Sequence, residues 1–237
     1  MPETLTALLL AHVLADFVFQ TNRMVAHKRR PLVMAAHLAI VGIMACVVTG
    51  TFHPVLLALT VAHLGIDLVK TFARARGLAP FLLDQAAHLG TIALAAGVEP
   101  DLWHTGIWAP LTPLPALMAL TAGLIVTTRA GGMAVGMLMA PWADSTPEGL
   151  KGGGKAIGLL ERGLIFLLIL TGQAAGIGFL IAAKSVLRFG TVADDRKVSE
   201  YVIIGTLASF AWAIAMAFAT LALLAALPPL GIPTFSP

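Results

Sequence analysis

The sequence predicts an all-α fold, a polytopic transmembrane helical bundle of seven to eight spans. Three observations carry that expectation. Charged residues make up 11% of the 237 positions and hydrophobic ones 58%, with a mean hydropathy of +0.91; soluble domains carry about 25% charged residues. Apolar runs of about 20 residues, the length that crosses a bilayer core as a helix, recur along the chain. The short alternating segments that a membrane barrel requires are absent.

Punctuation places the helices near 3–21, 33–50, 54–74, 80–97, 113–128, 155–171, 174–189 and 199–226. The first has no basic leader and no small-residue cleavage site, so it reads as a retained span. Between the fourth and fifth, "VEPDLWHTGIWAPLTPLP" has the Pro and Trp content of an interfacial loop. After the fifth, "RAGGMAVGMLMAPWADSTPEGLKGGGK" suggests a short interfacial or re-entrant piece followed by a flexible loop. The chain is expected to be one transmembrane domain in three parts: a helical half over 1–97, an interfacial and loop region over 98–154, and C-terminal helices over 155–237. The lone Cys46 excludes an internal disulfide framework.

Basic residues orient the bundle. Arg23, Lys28, Arg29 and Arg30 follow the first helix, and Lys70, Arg74 and Arg76 close the third. Lys151 and Lys155 precede the sixth, while Arg188, Arg196 and Lys197 lie between the last two. By the positive-inside rule these connections face the cytoplasm, so both termini face away from it. The net charge of +3 matters less than this placement. A multi-pass protein of a bacterial inner membrane is the expected setting, with membrane lipids as partners and no nucleic acid.

Ionisable residues interrupt the apolar helices at repeated spacings. His12, Asp16 and Gln20 share one face of the first helix, and His37 enters the second. His63, Asp67 and Lys70 share a face of the third; Asp84 and His88, with Gln85 beside them, open the fourth. All fall in the cytoplasmic half of their helices. A single intramembrane histidine is usually satisfied by a helix–helix hydrogen bond. An aspartate at that depth costs roughly 2.5–3.5 kcal/mol and needs a partner or a function.

Imidazole and carboxylate from facing helices form a ligand set for a divalent metal, zinc first, with iron or manganese as alternatives. His12, Asp16, His37, His63, Asp67 and His88 are the expected ligands. A metal there would polarise a substrate oxygen and acidify a bound water, which predicts a hydrolase acting on a lipid or lipid-linked phosphoester. Asp84 or Glu161 would act as general base. Arg162 and Lys184 would hold substrate negative charge, helped by Lys70, Arg188, Gln20 and Gln85. The same ligands could serve a divalent-metal or proton-coupled transporter, or hold a structural metal in a binding or assembly factor. Gly149–Lys155 fits GxxxxGK, but Ala156 replaces the Ser/Thr that holds magnesium and no strand precedes it, so a nucleotide site is rejected.

"LLLAHVLADFVFQ", "AHLGIDLVK", "LLDQAAHL" and the series "IGLLERGLIFLLIL", "IGFLIAAKSVLRF" and "EYVIIGTLASF" resemble an uncharacterised bacterial inner-membrane family, domain of unknown function 3307. The resemblance spans residues 5–97 and 155–210 and implies no activity. The HxxxD helices also look like bacterial membrane-bound metal-dependent hydrolases, a similarity that assigns no catalytic residue.

Overall fold

The computed structural model describes residues 1–73, 76–145, 150–192 and 196–230, with side chains described outside 144–145 and 187–192. Among the described residues the regular structure is helical throughout. The helices are α1 (Pro2–Leu14), α2 (Asn22–Ala26), α3 (Pro31–Thr49), α4 (Pro54–Ala73), α5 (Leu78–Val98), α6 (Leu114–Ile125), α7 (Gly131–Met139), α8 (Gly153–Leu170), α9 (Gly176–Val192) and α10 (Arg196–Ala225). Six runs are long and apolar enough to cross a membrane: Pro2–Phe19, Pro31–Thr49, Pro54–Ala73, Leu78–Val98, Leu114–Ala143 and Arg196–Ala225. The exposed surface of these helices is greasy, with Leu32, Leu57, Val69 and Leu83 each more than half exposed. Their buried faces carry the polar residues, as expected of helices solvated by lipid rather than water.

The chain divides into two compact units, Met1–Ala122 with Ala222–Pro237, and Gly123–Leu221. In the first, small side chains let the helices approach closely: Ala7, Ala11, Ala45, Ala95 and Ala96 are buried beside Leu8, Val48, Leu56 and Ile92. α3 starts with Pro31 at its first turn and stops at Gly50, whose φ of 68° suits the left-handed position after a helix. A Cβ at Gly50 would also collide with the Trp108 indole. The loop after α5 is folded down rather than loose. Thr4 Oγ1 donates to the Pro100 carbonyl (2.8 Å) and accepts from the Trp103 backbone N–H (3.1 Å), and Trp103 and Leu102 are buried.

α1 continues into a π-helical turn, Ala15–Phe19, before the backbone turns extended at Gln20. A second π turn, Val126–Ala130, joins α6 to α7. Here the structure departs from the sequence expectation of a span followed by a separate interfacial piece: the helix runs on through Gly131–Met139. The reason is packing. Gly131 and Gly132 read as breakers, yet a Cβ at Gly131 would strike the Trp212 indole, and one at Gly132 the Arg162 guanidinium. These glycines permit close approach inside a membrane helix, where glycine is tolerated.

The second unit has its own core of Ile165, Phe166, Ile169, Phe210, Ala213 and Ala217. Side chains add donors to the carbonyls of its widened turn, which the backbone N–H at Gly131 also reaches. Arg162 supplies two donors, Nε (3.2 Å) and Nη2 (3.0 Å), to the Thr128 carbonyl. Trp212 Nε1 donates to the Val126 carbonyl (3.1 Å).

Candidate metal centre

Seven ionisable side chains of the first unit converge: His12, Asp16, His37, His63, Asp67, Asp84 and His88. They arrive from α1 and its π turn, α3, α4 and α5, and apart from Asp16, itself largely enclosed, all are buried. The (i, i+4) spacings put His12 with Asp16, His63 with Asp67, and Asp84 with His88 on single helix faces. The π turn begins at the residue before Asp16, so its carboxylate leaves the helix from a wider backbone ring than an α-helix provides.

Two carboxylates flank one pair of imidazoles. His37 Nε2 lies 3.2 Å from His63 Nε2. His37 Nε2 is 3.4 Å from both Asp16 Oδ1 and Asp67 Oδ2. His63 Nε2 is 3.5 Å from the same two oxygens. Contacts of that length are the edges of a tetrahedron whose centre is about 2.1 Å from each corner, the bond length of Zn–N and Zn–O coordination. Asp16, His37 and His63 supply three such corners, and Asp67 faces the same two histidines. Both carboxylate oxygens, Asp16 Oδ1 and Asp67 Oδ2, are buried without a hydrogen-bond partner.

A second group sits alongside. The His63 and His88 ring centroids are 4.1 Å apart, and those of His12 and His88 are 5.0 Å apart. His88 Nε2 is 3.7 Å from Asp84 Oδ1, and neither atom has a hydrogen-bond partner. Donor atoms of Asp67, Asp84 and His88 lie within 4.8 Å of one another, as do those of His12, His63 and His88.

Lysines hold the outer oxygens of two carboxylates. Lys28 Nζ donates to Asp67 Oδ1 at 2.7 Å, and Lys70 Nζ to Asp84 Oδ2 at 2.5 Å. Gln85 Nε2 also donates to Asp84 Oδ2 (3.0 Å), which turns its carbonyl toward His12. His12 Nε2 therefore donates its hydrogen to Gln85 Oε1 (3.3 Å), leaving the lone pair on Nδ1. Such outer partners fix the orientation of metal-facing groups. Along α4 the order is Leu59, His63, Asp67, Lys70, so the lysine side of the donor layer lies opposite an apolar cleft. Leu8, Ala11, Ala45, Leu59 and Ile92 wall that cleft beside His12, His63 and His88.

The remaining expected site residues fall elsewhere. Gln20 ends the π turn with its amide nitrogen buried and unpartnered. Glu161, Arg162 and Lys184 belong to the second unit and are mutually or locally satisfied. Lys184 Nζ donates to Glu161 Oε2 (2.8 Å) and stands 5.5 Å over the Phe210 ring, while Arg162 Nη1 donates to Ser209 Oγ (3.0 Å). The Arg188 side chain lies outside the described residues. Sequence reasoning missed Lys28. In the run Lys28-Arg29-Arg30 nothing distinguishes the residue that turns inward, and all three serve equally as positive-inside charges.

The architecture and this centre define a polytopic membrane protein with a buried His/Asp cluster. Residues 4–105 match the family model described as Protein of unknown function (DUF3307), a stretch that contains all seven converging residues and does not reach 155–210. No curated protein and no solved structure matches the chain.

Proposed function

We propose that the chain is an eight-span protein of a bacterial cytoplasmic membrane, both termini outside, whose first unit is a metal-dependent hydrolase of a lipid or lipid-linked phosphoester. α8 and α9 bring the six long apolar runs to eight, and the one-sided lysines and arginines set the direction. The observation that carries the chemistry is the surplus of donors: Asp16, His37 and His63 form one group, Asp67 faces both of its histidines, and Asp84, His88 and His12 remain beside them. A structural ion needs four ligands and is enclosed, whereas a hydrolytic centre keeps further groups next to the metal. A bound divalent cation would polarise a phosphoryl oxygen and acidify a water at neutral pH.

The chain's own residues suit an amphiphilic, anionic substrate. His12 Nδ1 carries a basic lone pair within the donor layer, where it can accept a proton from water. Lys70, its side chain 37% exposed, can meet an incoming phosphate on the polar side. The exposed apolar side chains of the same helices, Leu57, Val69 and Leu83 among them, suit the hydrocarbon of the same molecule.

Phosphate release from phosphatidic acid and from an isoprenyl diphosphate in mixed micelles tests the reading on zinc-loaded and chelator-stripped protein. Metal-dependent release supports it; release that is absent, or untouched by stripping, removes it. A transporter is the second reading, favoured by donors enclosed within apolar spans. Zinc flux into proteoliposomes without hydrolysis would select it.

A further inference from the structure

We propose that the centre takes two divalent cations, the second bound by Asp84 Oδ1 and His88 Nε2 and bridged to the first through Asp67. The inference rests on reading the cluster as a metal centre and adds its nuclearity. The first set, Asp16, His37 and His63 with Asp67 facing both histidines, draws on neither Asp84 nor His88. Those two are among the most enclosed polar side chains of the unit, with side-chain exposures of 4% and 2%.

Asp84 is held as a ligand is held. Its outer oxygen is saturated by Lys70 and Gln85, and Oδ1 is turned inward to a nitrogen without a partner. The 3.7 Å between Asp84 Oδ1 and His88 Nε2 exceeds a hydrogen bond. It equals the separation of two ligands about 2.1 Å from one cation at an angle near 120°. A bare carboxylate oxygen facing a bare imidazole nitrogen inside a membrane span is costly, and a cation between them removes the cost.

Asp67 provides the link. Lys28 holds its Oδ1, Oδ2 faces both His37 and His63, and its donor atom is within 4.8 Å of those of Asp84 and His88. Charge points the same way. Asp16, Asp67 and Asp84 face two ammonium groups, Lys28 and Lys70, leaving a net negative centre. Two divalent ions would reverse that sign and attract a phosphoester. Cation pairs about 3.5–4 Å apart clamp both the attacking and the leaving oxygen of a phosphoester.

The test uses full-length protein in detergent, stripped and reloaded with zinc for metal analysis, and with Mn²⁺ for electron paramagnetic resonance. Two ions per chain and an exchange-coupled Mn²⁺ spectrum are expected. Asp84→Asn and His88→Gln should each bind one ion and lose the coupling, while retaining the first ion. The spectrum of the unmodified protein needs no variant, so misfolding of a mutant leaves the proposal exposed to test. One ion per chain at saturation, or two in Asp84→Asn, overturns it. One ion with intact phosphate release removes only the second site; no bound metal removes the reading of the centre as well.

Discussion

His37 Nε2 stands 3.2 Å from His63 Nε2, although the two rings come from different helices and each nitrogen faces the same two carboxylate oxygens. A hydrogen on one nitrogen satisfies one acceptor and leaves the others bare. A cation between them satisfies both nitrogens and a carboxylate oxygen together. Substitution at this pair therefore separates hydrogen bonding from ligation. His37→Gln retains a side chain that both donates and accepts, yet it should lower zinc affinity by at least an order of magnitude, read by competition with a chromophoric chelator. Unchanged affinity would mean that the pair only bonds helix to helix.

Lys28 is expected to act through Asp67. Loss of an outer partner typically costs about 10–100-fold in metal affinity. Lys28→Met, which keeps the aliphatic stem, should show that loss, while Arg30→Met at the neighbouring exposed position should not. Parallel zinc titrations of the two variants provide the comparison.

The orientation makes a direct prediction. In a Cys46→Ala background, Arg29→Cys should react with an impermeant maleimide only when the cytoplasmic face is open. His104→Cys should react from the opposite face. Labelling of position 29 in intact cells would reverse the topology, and with it the side from which substrate reaches the lysines.

Arg162 makes its hydrogen bonds to the Thr128 carbonyl and Ser209 within the second unit. Arg162→Ala removes both guanidinium bonds to that carbonyl and leaves the Ser209 hydroxyl without its guanidinium donor, a loss of about 1–3 kcal/mol where water cannot enter. The thermal midpoint in detergent should fall, with zinc content unchanged. A stable variant whose phosphate release drops by about 10²–10³-fold would instead restore Arg162 to the reacting centre.

Gly131 is a tight packing constraint of the second unit, because a Cβ there meets both Trp212 and Arg162. Gly131→Val should destabilise by about 1–3 kcal/mol through overpacking. Gly136, with open space around its Cβ position, should accept alanine. Thermal denaturation of the two variants measures the contrast.

The donors were legible because an ionisable residue in an apolar helix stands out, and the four-residue spacing assigns it a face. His12, Asp16, His63, Asp67, Asp84 and His88 could be placed in that way without coordinates. Which donors share a point was not legible, since that depends on the depth and rotation of four separate helices. Lys28 was hidden among equivalent charges. The continuity of the helix through Gly131 was hidden too, because glycine is used alike for breaking a helix and for pressing it against an indole.

The π turn at Ala15–Phe19 sets the phase of everything beyond it. A turn of this kind carries one surplus residue, and each α-helical residue advances about 100° around the axis. Removing Leu14, the last α-helical residue before that turn, would shorten the span by only about 1.5 Å, which lipid could absorb. It would also swing Gln20, and the basic segment that delivers Lys28, by more than a quarter of a revolution relative to His12. The first helix thus behaves as a keyed shaft: it can tolerate exchange of many of its lipid-facing residues, but not the loss of one from its count.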